Sequence, residues 1–262
     1  MSDAGEAPVL AKTHGDVLRI TINREARRNA INQAVIEGIS RALADAAASG
    51  TVRAAVLTGA GYRAFCAGAD LSQESGQFRY DFSKVGVPFV SLLKQVRDLT
   101  IPLIVRVNGH AMAGGLGLVG MCDMAVAADH ARFGMPEVKV GIFPMQIMSV
   151  LQHLIPPRKL TEMALTGEPI DAAEALALGL VNYVVPAEEL DRKLDWLLSR
   201  LLDKSPTAIR RGKHAMRQTE FMSFDQSIAF MEAQIGILTM SEDAAEGRRA
   251  FNEKRPPVWT GR

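Results

Sequence analysis

The stretch VNGHAMAGGLGLVGMCDMAVAADHARFGMPEVKVGIFP, residues 107–144, combines a glycine-rich turn, an apolar run and a glutamate in apolar surroundings. The apolar segment LIVRV at 103–107 leads into the glycines, and a second one, MAVAA at 124–128, follows them. Short apolar runs bounded by glycine are typical of strands that are buried on both faces. Because such runs alternate here with helical periodicity, the sequence predicts an α/β fold with a mostly parallel, covered sheet.

On both sides of this stretch, strand patterns alternate with helix patterns, and the balance changes near residue 145. Before that point strands and helices alternate, and after it helical periodicity dominates. The first part is predicted to have strands at 9–13, 17–22 and 54–59, helices at 31–49 and 87–99, and a loop at 61–71. The second part is predicted to have helices at 145–154, 158–166, 171–178, 188–203, 206–218, 223–238 and 242–252, with an extended piece at 181–186.

Composition and charge exclude several classes of protein. The 262 residues carry a formal net charge of +1 and are 48% hydrophobic and 23% charged, unlike a nucleic-acid-binding or disordered chain. The two cysteines, Cys66 and Cys122, do not make a disulfide framework. No apolar run approaches the roughly 18 residues of a membrane span, and the first residues lack the apolar stretch of a signal peptide. We therefore expect a cytoplasmic protein that binds neither nucleic acid nor membrane.

The segment GLGLVG, residues 115–120, matches the G-x-G-x-x-G outline of a dinucleotide-binding turn. That fingerprint needs a full helix after the glycines and then a strand that ends in an acid about 20 residues on. Here the next strand-like run begins near Met124, which leaves room for roughly two helical turns, and Asp129 at its end comes too early. An NAD-dependent oxidoreductase is therefore the weaker hypothesis, and close packing of a helix on a strand explains the glycines more simply.

A second turn of small residues suggests a different role for these glycines. FCAGADL, residues 65–71, has the same character as the segment around Gly114 and Gly115. Two such turns from neighbouring strands can direct two backbone N–H groups at one oxygen, and such an oxyanion hole stabilises charge that develops on a carbonyl. Downstream, Glu137 lies in an apolar, glycine-bounded stretch, which favours a raised pKa and acid–base chemistry.

Nucleophilic and metal-dependent chemistry find no comparable support in the sequence. The G-x-S-x-G pattern is absent, and Cys66 has no recognisable histidine partner, so we expect a packed apolar thiol. The five histidines show neither HExxH nor clustered ligand spacing, so no metal is expected.

Taken together, five segments resemble the crotonase family, also called the enoyl-CoA hydratase/isomerase superfamily. They are VLRITINREARRNAIN, FCAGADL, the stretch at 107–144, LTGEPIDAAEALALGLVNYVVP and RRAFNEKRPPVWTGR, in that order. The resemblance implies a crotonase-like ββα spiral core over residues 1–195 and a helical C-terminal trimerisation region over 196–262, assembled as homotrimers or hexamers. It also implies an acyl-CoA thioester substrate, with coenzyme A as part of the substrate and no further cofactor.

By position, the resemblance assigns the oxyanion hole to the backbone N–H groups of Ala69 and Gly114, and the acid–base role to Glu137. Asp70 and Gly115, from the same two turns, are expected beside the substrate, with Asp70 fixing its turn or capping a helix. The other implied binding residues are Arg28, Ala30 and Ala67 along the coenzyme A, Arg27, Arg28 and Lys254 as partners of its phosphates, and Phe143, with Met135, Met145 and Met148, around the acyl group.

Gly117 departs from the family pattern. Typical enoyl-CoA hydratases carry two glutamates, and the first lies three positions after the second oxyanion-hole glycine, where this chain has Gly117. Without that carboxylate, moving a double bond with Glu137 alone is favoured over adding water. Two alternatives stay open: a hydratase with an atypical site, in which Glu74 stands in for the missing acid, and a weakly active acyl-CoA-binding homologue.

Overall fold

The computed structural model describes residues 7–72, 83 and 86–262. Glu74, the residue considered as a substitute acid, lies outside these ranges. No helix within them is long and apolar enough to cross a membrane. The cytoplasmic location stays a prediction.

Ten strands lie within the described residues and form two sheets. They are β1 (Val9–His14), β2 (Val17–Ile22), β3 (Ala54–Gly59), β4 (Ala64–Cys66), β5 (Leu103–Val107), β6 (His110–Met112), β7 (Met124–Ala128), β8 (Arg132–Gly134), β9 (Ile170–Asp171) and β10 (Tyr183–Val185). The larger sheet has the order β1-β2-β3-β5-β7-β10 and is parallel beyond the β1–β2 hairpin. The smaller sheet has the order β4-β6-β8-β9, in which β4, β6 and β8 are parallel and β9 is antiparallel.

In the smaller sheet the structure corrects the sequence-based prediction. β4 lies inside the segment predicted as a loop at 61–71, and β6, β8 and β9 have no counterpart among the predicted strands. Each of these strands has only two or three residues, which is too short for an alternating pattern to be recognised. Pairing with strands distant in the chain, rather than local periodicity, defines this sheet.

The helices begin and end within a few residues of the predicted positions. Asn32 caps the first of them, since its side-chain oxygen accepts a hydrogen bond of 3.0 Å from the N–H of Val35. Within the described residues they are α1 (Gln33–Ser49), α2 (Pro88–Asp98), α3 (Gly114–Met121), α4 (Met145–Leu151), α5 (Pro157–Thr166), α6 (Ala172–Ala177), α7 (Leu190–Leu202), α8 (Pro206–Thr219), α9 (Phe224–Thr239) and α10 (Glu242–Glu253). The predicted helical C-terminal region is thus confirmed.

Both faces of the six-stranded sheet are covered. Along β3, Ala55 and Leu57 belong to the main core, whereas Ala54 and Val56 pack with Leu194 of α7 on the opposite face. A strand that is buried on both sides needs apolar residues at every position, which explains the continuous apolar runs in the sequence.

The domain boundary expected between residues 195 and 196 falls inside α7. Leu190 and Leu194 precede it, Leu197 and Leu198 follow it, and all four belong to the same apolar cluster on the sheet. α7 is thus continuous across the expected boundary, and the division into 1–195 and 196–262 stays a prediction.

Candidate active site

The carboxyl ends of three parallel strands, β4, β6 and β8, lie side by side in the small sheet. Ala111 of β6 pairs with Cys66 on one side and with Phe133 on the other, so the three strands end at the same edge. Neighbouring strands are about 4.8 Å apart. The turns that follow these strands are therefore brought together, and they contain the residues that the sequence analysis selected.

The turn after β4 is held by backbone bonds to Ile31. The N–H of Ile31 donates to the carbonyl of Gly68 at 2.7 Å, and the N–H of Asp70 donates to the carbonyl of Ile31 at 2.8 Å. Ala69 lies between these two bonds, and in the described part of the chain no acceptor contacts its N–H. The turn therefore leaves this donor available to a ligand.

An ion pair fixes the same turn from the other side. Arg24 Nη2 lies 2.8 Å from Asp70 Oδ2, and both side chains are nearly buried. Arg24 also donates to the carbonyl of Ala30 at 2.6 Å. Burial alone would raise the pKa of Asp70, but hydrogen bonds from Arg24 and Ser72 outweigh it and hold the pKa below its usual range. Asp70 thus remains ionised and occupied with holding the turn.

The turn after β6 has an unusual backbone conformation. Ala113 has φ 51° and ψ −127°, a region that residues with a Cβ rarely adopt. Its N–H donates to the carbonyl of Gly134 at 2.9 Å, which ties the turn to the end of β8. α3 begins at the next residue, so the N–H of Gly114 has no partner within the helix.

The two turns touch each other. A Cβ added at Gly68 would lie 2.6 Å from Ala113 Cβ and 3.4 Å from the nitrogen of Gly114, and Gly68 itself has φ +92°. Only glycine tolerates both this contact and this conformation. The two turns thus meet at Gly68 and Ala113. The two expected donors, Ala69 and Gly114, are the next residue in each turn.

Gly115 has a packing role in the same region. A Cβ at this position would collide with the carbonyl oxygen of Cys66, so glycine allows α3 to lie directly on β4. Cys66 is fully buried, and burial raises the pKa of its thiol to about 12. These observations agree with the expected packed, unreactive cysteine.

Glu137 lies in the third turn, on a short 3-10 helix (Pro136–Val140) that follows β8. Its Oε2 atom is buried and has no hydrogen-bond partner among the described residues. Burial raises the pKa of this carboxyl group. An unsatisfied buried carboxylate costs stability unless a ligand uses it, so this group is a candidate acid–base.

Gly117, the position of the departure from the family pattern, is covered by apolar side chains. A Cβ there would lie 2.5 Å from Ile147 Cγ2 and 3.7 Å from Phe89 Cζ. A Cβ added at Gly114 would lie 3.5 Å from Phe89 Cζ and 3.2 Å from Ile31 Cδ1. Sequence reasoning missed all three side chains, because they come from separate helices and a loop.

The residues expected along the coenzyme A are only partly brought together. The N–H of Ala67 donates to the carbonyl of Arg28 at 3.0 Å, so these two are neighbours, whereas Ala30 is buried. Arg28 lines an open groove of about 540 Å³ together with Tyr62 and Arg63. Sequence reasoning also missed these two residues.

The other expected binding residues differ in their exposure and come from different elements. Arg27 and Lys254 are exposed, and Lys254 ends α10, which packs mainly on α8 and α9. Phe143 is half-buried against the main core, Met135 is fully buried and Met145 is 70% exposed. Met148, like Phe143, is half-buried against the main core, so the expected acyl-binding residues range from fully buried to exposed.

Comparison with known proteins identifies the family of this chain. A sequence profile described as Enoyl-CoA hydratase/isomerase matches residues 12–262. The chain belongs to this family. A carnitinyl-CoA dehydratase of Citrobacter koseri is 36% identical over 95% of this chain and 97% of its own length. A short-chain-enoyl-CoA hydratase of Clostridium acetobutylicum is 32% identical over 94% of this chain and 95% of its own.

Solved structures of the family share the fold. An enoyl-CoA hydratase of Mycobacterium smegmatis superposes with a TM-score of 0.90 at 32% identity, over 97% of this chain and 99% of that one. An enoyl-CoA hydratase of Bacillus anthracis gives a TM-score of 0.89 at 29% identity, over 97% and 100%. The predicted family and the predicted crotonase-like fold are thus confirmed. GLGLVG belongs to α3, a helix of only eight residues, rather than to a dinucleotide-binding crossover.

Proposed function

We propose that this protein isomerises the double bond of an enoyl-CoA thioester, with Glu137 as the only acid–base group. One observation carries the proposal: the buried Oε2 atom of Glu137, which has no hydrogen-bond partner among the described residues, lies at the sheet edge that also presents two backbone donors without an acceptor there. Typical hydratases carry a further glutamate at the position that is Gly117 in this chain, and here the surroundings of that position are apolar.

In the proposed reaction, the Glu137 carboxylate takes a proton from C2 of a 3-enoyl thioester. The electron pair of that C–H bond moves into the conjugated system and gives a dienolate with its negative charge on the thioester oxygen. Glu137 then returns the proton to C4, so that the double bond moves from C3–C4 to C2–C3. The atoms balance without water or a redox partner. A raised pKa suits this role, since the group must both accept and donate a proton near neutrality.

The N–H groups of Ala69 and Gly114 are the proposed donors to the thioester oxygen. Both are held before substrate arrives, one by Ile31 and the Arg24–Asp70 ion pair, the other by the bond from Ala113 to Gly134. Donors that are fixed in advance need no reorganisation when the charge develops, and one such donor is worth ~3 kcal/mol.

The groove beside Arg28 is the proposed binding site of the coenzyme A nucleotide. Arg28 and Arg63 place two positive charges on its walls against the one negative charge of Glu25, and the hydrogen bond between Arg28 and Ala67 links the groove to the donor turn. We propose no cofactor beyond coenzyme A itself, since the reaction needs only a carboxylate and two hydrogen-bond donors. No cluster of metal-ligating side chains occurs among the described residues.

We also propose that the chain assembles as a homotrimer or hexamer. α9 has no buried residue, and three large exposed apolar side chains lie along one of its faces: Phe224, Ile228 and Ile235. A contiguous apolar surface of this kind is typical of an interface. Light scattering after size-exclusion chromatography tests the assembly, and a monomer at micromolar concentration contradicts it.

A second candidate function is addition or removal of water, which the names of the relatives favour. The relatives from Citrobacter koseri and Clostridium acetobutylicum are described as a dehydratase and a hydratase. The ultraviolet band of the conjugated thioester separates the two functions. Growth of this band from 3-enoyl-CoA, without its loss from 2-enoyl-CoA, supports isomerisation, whereas loss from 2-enoyl-CoA supports hydration.

A further inference from the structure

We infer that Ile147 determines the specificity of this site for proton transfer over water addition. The inference rests on the proposed function and deepens it. Ile147 lies on α4 and fills the space beside Gly117, one helical turn along α3 from the proposed donor Gly114.

The contact leaves no room for a second acid. Ile147 is 3% exposed, and a Cβ on residue 117 would lie 2.5 Å from its Cγ2 and 3.2 Å from its Cβ. Cγ2 is the atom that closes the space, and it does not readily turn away because isoleucine in a helix strongly prefers one χ1 rotamer. A carboxylate at 117 therefore requires a smaller residue at 147 or a shift of α4.

The same surroundings disfavour a bound water. Phe89, Ile31 and Ile147 are the side chains nearest to this face of α3, and each is buried. A buried water needs two to four polar partners, and these three side chains offer none beside Gly117, so a water near Glu137 lacks a second carboxylate to hold it. Hydration adds oxygen to C3 and a proton to C2, so a site without a held water moves only the proton.

Leu151 provides a matched control for Ile147. It lies one turn further along α4, is fully buried, and its Cδ2 atom would lie 2.9 Å from a Cβ on Gly120. Truncation of either residue opens a cavity between α3 and α4, but only truncation of Ile147 opens it beside Gly117. A general loss of packing affects both variants alike.

The test compares Ile147→Ala with Leu151→Ala in D2O, with 3-enoyl-CoA as substrate and NMR detection of the products. We expect Ile147→Ala, which removes three side-chain carbons, to raise deuterium incorporation at C4 and the hydrated fraction at least about tenfold, since a single methylene in a pocket already changes discrimination by ~10–200-fold. Leu151→Ala should keep the deuterium incorporation at C4 and the hydrated fraction within about twofold of wild type, because its cavity opens beside Gly120 and not beside Gly117. Equal deuterium incorporation at C4 and equal hydrated fractions in the two variants overturn the inference. If Ile147→Ala does not fold, Ile147→Leu, which keeps the side-chain volume but removes the Cγ2 branch that faces Gly117, should give a smaller change in the same direction, and no change overturns the inference as well.

A second pair of variants separates this inference from the proposed function. Gly117→Glu alone should unfold at lower temperature and gain no hydration, whereas Gly117→Glu with Ile147→Ala should fold and hydrate 2-enoyl-CoA. Hydration by Gly117→Glu alone, at the rate of the double variant, overturns the role of Ile147. Failure of the proposed function has another signature, since a wild type that hydrates but does not isomerise contradicts it directly. If the wild type acts on neither substrate, a gain of hydration in the double variant still supports Ile147, and no gain overturns its role.

Discussion

The two sides of the proposed site are built in opposite ways. The donor side, residues 67–70 and 113–114, is held by the Arg24–Asp70 ion pair, by two bonds to Ile31 and by the bond from Ala113 to Gly134. The carboxylate side, residues 135–137, leaves one buried oxygen of Glu137 without a partner. The donor side fixes geometry at the expense of backbone strain, and the carboxylate side keeps a group reactive at the expense of stability.

The largest expected effect comes from the carboxylate side. Glu137→Gln should lower turnover by about 10³-fold or more, since general acid–base catalysis contributes ~10²–10⁴-fold. Affinity for the coenzyme A thioester should change little, because the variant keeps the shape of the side chain. Steady-state kinetics and calorimetric titration measure the two effects. Glu168→Gln is the matched control, since Glu168 is exposed and pairs with Lys139 on the surface, and turnover equal in both variants contradicts the assignment.

On the donor side, Arg24→Ala should destabilise the fold by about 3 kcal/mol, because it leaves the buried Asp70 charge without its partner. Lys139→Ala breaks a surface pair whose side chains are 48% and 70% exposed, and it should cost less than about 1 kcal/mol. Urea unfolding of both variants gives the comparison. Equal stabilities for the two variants show that the donor side is not held as described.

Gly114→Pro removes one donor and should lower kcat by about 10²-fold. Proline is favoured at the first position of a helix, so α3 has no need to lose its hydrogen bonds. A Cβ at residue 114 would lie 3.2 Å from Ile31 Cδ1, so some loss of thermal stability is expected, and thermal unfolding serves as the control that the variant is folded at the assay temperature. A kcat within threefold of wild type, in a folded variant, removes Gly114 from the oxyanion hole.

The raised pKa of Glu137 predicts a smaller effect, a change of protein stability with pH. Because burial raises this pKa, the folded protein binds the proton more tightly than the unfolded chain does. The resulting stabilisation is complete below the ordinary glutamate pKa of about 4.3 and is lost as pH rises through the raised value. Glu137→Gln should therefore be more stable than wild type at neutral pH, and the difference should vanish in acid. Parallel stability curves across this range contradict the raised pKa.

The smallest expected effect is that of metal removal. Prolonged dialysis against a chelator should leave turnover unchanged, since neither side of the proposed site uses a metal ion. Restoration of lost activity by added divalent cations shows that the proposed chemistry is incomplete.

The large sheet could be predicted from the sequence, and the small sheet could not. β3, β5 and β7 are long enough, and apolar enough at every position, to be recognised locally. β4, β6 and β8 have three residues each and exist through pairing with one another. Three-residue strands carry no periodic signal, so the sheet edge that holds the site was visible only as glycine-rich turns.

The same distinction applies to the residues of the site. Two turns of small residues and a glutamate in apolar surroundings indicated the segments of the site, and the family resemblance then assigned Ala69, Gly114 and Glu137 within them. The residues that hold these groups in place could not be recognised in the same way, because the Arg24–Asp70 ion pair joins residues 46 positions apart in the sequence. Ile147 covers Gly117 through a helix–helix contact, and nothing in its own neighbourhood in the sequence indicates which glycine it meets.

The most direct test of the central claim is proton exchange at C2 of butanoyl-CoA in D2O, followed by NMR. This thioester has no double bond to move or hydrate, so exchange reports only abstraction by the carboxylate and stabilisation of the enolate by the donors. We predict exchange by the wild type and its loss in Glu137→Gln, with a protein that remains folded. Exchange at equal rates in both proteins contradicts the assignment of Glu137 as the base.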